Sequence, residues 1–296
     1  MAGFFGLFDF TKEGPGVSKD APKKKRFFQF FDLYFRKLSK LVSVNLLFLL
    51  FCLPAIFLAI FFLPSGSLLL FLTLPLCLVG PPMAGLTYVV RNMTQERPIF
   101  LFSDFWDSFK SNFKQSFVYG IIFSVIFTLL IFAVISYIGM LSHGLMYYAL
   151  LGLSIMASLL FAFMNCYVYL QIVTVNLSLR GILENSFRLA VLGIKSNLLT
   201  ILFCGVLVFV LLWFFPYTML FIIPLGFSTI SMITCFNSLQ YIEKYITDPY
   251  YAAHPEERPG YRPDGEEEAV FSDKQLIPED EDEDDASAHI TDGQHS

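Results

Sequence analysis

Charge is the scarcest commodity in this sequence. Only 15 % of its 296 residues are Asp, Glu, Lys or Arg, against about 25 % in an ordinary soluble domain. None of the four falls within residues 41–90, 117–170 or 198–240. A charge in the middle of a bilayer costs about 2.5–3.5 kcal/mol on insertion scales and is usually functional when present. The absence therefore excludes an intramembrane carboxylate relay and a voltage sensor. Histidine is equally thin: His143, His254, His289 and His295 have no partners at metal-ligand spacing. Cys52, Cys77, Cys166, Cys204 and Cys235 all sit in apolar runs without a CxxC, which argues against zinc or a redox dithiol. No GxSxG, Walker A, HExxH or GxGxxG is present, and no secretory leader is visible. No enzyme activity, metal or cofactor is expected, because catalysis inside a membrane normally needs the ionisable groups these runs lack.

What is abundant is apolar length. Hydrophobic residues make up 55 % of the chain, with 35 Phe. About 20 apolar residues at 1.5 Å each cross the hydrocarbon core. The runs predict an all-α polytopic membrane protein with about six transmembrane helices, at 41–63, 68–90, 117–140, 145–170, 198–215 and 218–239. Very short connections join them pairwise into three hairpins. A basic and aromatic arm (1–40) precedes this domain (41–240), and an acidic tail (241–296), expected to be disordered, follows it.

All 20 Lys and Arg lie in the arm, in residues 91–116, in residues 171–197 or after 240, and the short connections have none. This positive-inside pattern predicts a multi-pass membrane protein with both termini cytoplasmic. The net charge of −5 conceals a basic membrane body behind the acidic tail. The expected partners are anionic lipid at the cytoplasmic face and a membrane or cytoplasmic protein, with no nucleic acid.

The segments before the first, third and fifth spans share a pattern. Each places an acid two or three residues ahead of a Phe–basic pair: Phe35–Arg36, Phe109–Lys110, Phe187–Arg188. Lys40, Lys114 or Lys195 follows one or two turns later. On a helix this separates a basic from an aromatic stripe, which suits amphipathic helices lying at the membrane surface. They read either as three topogenic anchors on anionic lipid or as a docking surface made of Arg36, Lys37, Lys110, Lys114, Arg188 and Lys195. Prolines break several spans, most densely at Gly80, Pro81 and Pro82, the candidate hinge. Asn165, Gln171 and Asn237 are candidates to line a cavity there, or are amides that join helices, as is Asn45.

The runs KLVSVNLLFLLFCLP (40–54), VGPPMAGLTYVVRNMTQE (79–96) and SDFWDSFKSNFKQSF (103–117) resemble the bacterial YesL-like family of integral membrane proteins, whose domain has no known function. The resemblance implies a bacterial cytoplasmic membrane and a loose link with carbohydrate uptake. It supplies no catalytic or binding residues.

Two functions stay open on these grounds. One is a non-enzymatic accessory or regulatory protein that docks partners through its basic helices. The other is a transporter or permease-like component for a neutral solute such as a sugar, working through kinked helices and amide side chains.

Overall fold

A computed structural model describes residues 25–65 and 68–257. The first 24 residues of the basic arm and the acidic run of the tail lie outside the described residues. In lipid a helix satisfies its own backbone polar groups, and the described residues form helices and no strand. Five helices are long and apolar enough to cross a membrane, or six if one bent pair counts as a single span. The fold is all-α and polytopic.

Helix α1 (Arg26–Arg36) passes through Lys37 into α2 (Leu38–Phe51). The next helix, α3 (Leu53–Phe62), is bent by 51° from α2. Pro54 stands in the first turn of α3; it has no N–H to give back to the preceding turn, and its ring crowds the carbonyl there. The apolar run expected to span at 41–63 is thus broken at its interior proline, as a proline there tends to do. Helix α4 (Leu68–Thr94) continues through Pro75, Pro81 and Pro82. It is followed by α5 (Leu101–Ser111), α6 (Phe113–Gly139) and α7 (Leu145–Ile172). The tight turn between α6 and α7 ends at Gly144, whose φ of 137° suits a residue with no Cβ. Ser178 caps α8 (Leu179–Leu192) by accepting the Gly181 N–H. After α9 (Ile194–Trp213) come the short α10 (Met219–Phe221), a π turn at Ile222–Gly226, α11 (Phe227–Ile242) and α12 (Asp248–Ala253). Residues 241–257, assigned above to a disordered tail, are thus largely helical. The described chain divides into one unit ending at Pro249 and a second beginning at Tyr250. Within the second, the Tyr250 hydroxyl donates to Glu257.

In the first unit α4 is the central helix. The share of its span buried in protein is 56 %, against 11 % for α7 and for α9. It packs on α2, α3, α5, α6, α7 and α11. The outer surfaces are apolar, with Phe132, Ile135, Leu212 and Trp213 exposed, as expected where lipid is the solvent. The interior has an apolar core that includes Leu41, Phe48, Leu86 and Met232, and beside it Ser116, Ser124, Thr128, Ser228 and Ser231. Small and hydroxylated residues let helices approach closely when no hydrophobic force separates them from lipid. The closest approach joins α4 and α6. A Cβ added at Gly80 would overlap the carbonyl oxygen of Ser116, and one added at Gly120 would lie 2.7 Å from the carbonyl oxygen of Cys77.

Asn45 staples the irregular turn around Pro224. Its Nδ2 donates to the carbonyls of Ile222 (3.2 Å) and Ile223 (2.7 Å), and its Oδ1 accepts the Ser228 N–H (2.8 Å). Backbone groups on either side of Pro224 are thereby bonded from α2, which ties the first and last thirds of the bundle together.

Candidate functional site

Three amphipathic helices, α1, α5 and α8, lie at the same end of the bundle. Cross-links from distant parts of the chain fix this. Arg36 Nη2 donates to Glu96 Oε1 (2.7 Å), Gln95 Nε2 to Glu243 Oε1 (2.8 Å) and Gln115 Nε2 to the Leu177 carbonyl (2.8 Å). Arg26 donates to the Phe236 carbonyl at 2.9 Å and lies 5.3 Å over that ring, and burial there lowers its pKa. Each amphipathic helix buries a narrow stripe: Leu33 on α1, Phe105 and Ser108 on α5, Ile182, Ser186 and Leu189 on α8. Their aromatic side chains stay largely outside, with Phe35 at 65 % and Phe187 at 48 % exposure. Large exposed rings beside exposed cations are what an interfacial helix presents to a bilayer.

Of the candidate docking residues, Arg36, Lys110, Lys114, Arg188 and Lys195 are exposed, and Lys37 is half-buried between α1 and α2. Among the described residues, Arg36 pairs with Glu96, whereas Lys110, Lys114, Arg188 and Lys195 form no ion pair.

One cation that reads from sequence as a loop residue is buried. Arg91, only 7 % exposed, sits in the last turn of α4. Its guanidinium donates to the Val173 carbonyl at the end of α7, to Thr174 Oγ1 (3.3 Å) and to Asn92 Oδ1 (2.8 Å from Nη2). It also lies 4.7 Å over the Tyr88 ring. The C-terminal ends of α4 and α7 meet here, and the partial negative charge of two helix ends serves where no carboxylate does. Arg91 is the functional-looking residue that the sequence conceals. Its only signal there is position, directly after an uncharged run and before an Asn.

Between α2, α4, α6, α7, α9 and α11 lies a partly open cavity of about 610 Å³, within the range of about 300–1,000 Å³ typical of small-molecule sites. Its wall is mostly Phe, Leu, Ile and Val. Asn165 lines it, but both halves of that amide are engaged: Oδ1 accepts from the Tyr119 hydroxyl (2.6 Å) and Nδ2 donates to the Phe161 carbonyl (2.8 Å). Gln171 and Asn237 are not in the wall. Gln171 is buried against α8, donating to Ser186 (2.8 Å), and Asn237 donates to Thr200 on α9 (3.1 Å). Gly80, Pro81 and Pro82 are buried in continuous helix beside Val79 and Met83, which do line the cavity. The proposed hinge is thus occupied by close packing on α6. A second, smaller hollow of about 410 Å³ opens at the polar end between α4 and α11.

The family described as "protein of unknown function, DUF624" matches residues 41–134, about a third of the chain, from α2 into α6. No curated protein and no solved structure matches.

Proposed function

We propose that this chain is a non-enzymatic accessory or regulatory membrane protein that docks an acidic partner protein at its basic end. The carrying observation is the set of exposed cations Lys110, Lys114, Arg188 and Lys195, which have no acidic partner among the described residues. They project from α5, α6, α8 and α9 at the end where α1, α5 and α8 gather. By the positive-inside rule that end faces the cytoplasm. Unpaired cations on a rigid scaffold steer an acidic partner and set its orientation more than they set its affinity. Anionic lipid head groups compete for the same charges. The resemblance to the YesL-like family makes a component of carbohydrate uptake the first partner to test.

A sugar-permease reading draws less support. The cavity wall is mostly apolar, with a few hydroxyls such as Thr87, Ser158 and Thr234 and one amide already bonded on both sides, so most sugar hydroxyls would enter without a partner, at about 1–3 kcal/mol each.

The test replaces Arg36, Lys37, Lys110, Lys114, Arg188 and Lys195 together by Gln. The variant is expected to insert and purify as the parent does while losing its co-purifying partner. Undiminished co-purification would remove the docking reading.

A further inference from the structure

The three amphipathic helices repeat more than a sequence pattern. The residue before each Phe–basic pair ties its helix to the last span of another hairpin, in cyclic order. Ser108 donates to the Ala84 carbonyl of α4 (3.3 Å), and Ser186 accepts from Gln171 of α7 (2.8 Å). Tyr34 shares a hydrogen bond with Thr229 of α11 (2.9 Å), so α1 closes the ring between the third hairpin and the first. Ten residues beyond Phe35, Phe109 and Phe187 stand Asn45, Tyr119 and Asn197. Each is buried and hydrogen-bonded to α7 or α11. At the centre α4, α7 and α11 pack on one another. The spans therefore form a pseudo-threefold array of helix–span–span units around those three helices.

The apolar cavity follows that axis. Each inner helix gives it a stripe at four-residue spacing: Met83 and Thr87 on α4, Ala162 and Cys166 on α7, Ser231 and Cys235 on α11. Thr87, Cys166 and Cys235 all stand about two turns from the ends of their helices. One turn further on, Arg91, Leu170 and Leu239 are buried and the bore ends, with Leu170 in its floor. On α6 the wall runs from Phe123 to Ile135, about 18 Å of helix at 1.5 Å per residue. Two wall residues are also surface residues, Ile135 at 57 % and Phe227 at 39 % exposure. Both lie toward the end opposite Arg91, so the bore opens sideways at a depth where lipid is the solvent.

The wall asks for nothing polar. Among the described residues no charged side chain lines it. Ser158 returns its hydroxyl to the Ser154 carbonyl (2.8 Å), and Asn165 is bonded on both sides. An apolar cavity stays dry, and left empty it forfeits the dispersion contacts of its lining. We infer that the bore of α4, α7 and α11 holds one acyl chain of a membrane lipid, admitted past Ile135 and Phe227, with the head group left outside. The positive-inside rule assigns that lipid to the outer leaflet. The site is independent of the docking surface, whose cations lie at the opposite end.

The full chain would be reconstituted into phosphatidylglycerol vesicles containing a trace of the same lipid with a diazirine at its chain terminus. Irradiation and peptide mass spectrometry would then locate the label. It is expected at Met83 and Ala162 as well as at Leu212, which is exposed on the outside of α9. Ala162→Phe, which fills the bore from α7, should lower the Met83 label about tenfold and leave Leu212 unchanged. A diazirine on the head group should label neither Met83 nor Ala162. Label confined to outward-facing residues, or Met83 label as strong from the head-group probe, would overturn the proposal. If Ala162→Phe unfolds, Ser158→Leu narrows the same bore, and undiminished Met83 label in a folded variant is equally decisive against it.

Discussion

Replacing Asn45 by leucine keeps nearly the same volume but deletes three hydrogen bonds at once. The carbonyls of Ile222 and Ile223 and the N–H of Ser228 would lose their partner in a region without water. Side-chain hydrogen bonds measured inside a membrane protein average about 0.6 kcal/mol, which gives about 2 kcal/mol for the three as a floor. The Ser228 N–H is buried, and an orphaned buried group costs about 1–3 kcal/mol, so the loss should reach about 3 kcal/mol. At about 2–4 °C per kcal/mol for a chain of this size, Asn45→Leu should unfold about 6–12 °C below the parent in one detergent. Asn45→Asp keeps the acceptor for Ser228 but turns a second oxygen on the two carbonyls inside the span, and should unfold no higher than Asn45→Leu. Ser43→Ala removes a hydroxyl bonded only within its own helix, to the Ser39 carbonyl, and should unfold with the parent. Unfolding of Asn45→Leu within about 1 °C of the parent would show that water or a backbone rearrangement satisfies the π turn, and the staple reading would be wrong.

Gly120→Ala should cost about 1–3 kcal/mol, since its new methyl would press on the Cys77 carbonyl, which cannot swing aside as a side chain would. Gly205→Ala, with open space around it, should be neutral or slightly stabilising in the same thermal assay. Arg91→Lys keeps the charge but loses the two-nitrogen grip on Asn92. It should lower stability by about 1.5–3 kcal/mol, the usual worth of a hydrogen bond to a charged group. Arg91→Met should cost at least as much, and stability equal to the parent in both variants would show that the helix ends need no cation.

The spans could be read from sequence because the criterion is local: a run free of charge either is or is not long enough. The amphipathic helices were legible for the same reason, since Phe109–Lys110 and Phe187–Arg188 carry their pattern within a few turns. What escaped depends on partners far along the chain. Gly80 beside two prolines reads as a hinge until the Ser116 carbonyl is found against it. Arg91 reads as a flanking cation because its acceptor, the Val173 carbonyl, lies 82 residues away. Of the three amides expected at one cavity, Asn165 lines it, while Gln171 and Asn237 are drawn off by Ser186 and Thr200, whose positions only the packing of α8 and α9 decides. The bend at Pro54 was legible as an interior proline, whereas the helical character of 241–257 is masked in sequence by the charge of the tail that follows it.

The burial of Arg91 has a consequence for biogenesis. Its principal acceptor, the Val173 carbonyl, does not exist until the far end of α7 has been synthesised. Until then the last turn of α4 has only its own Tyr88 and Asn92 around the cation. A nascent chain halted before Val173 should therefore leave that turn of α4 open to quality-control proteases, and completion of α7 should close it.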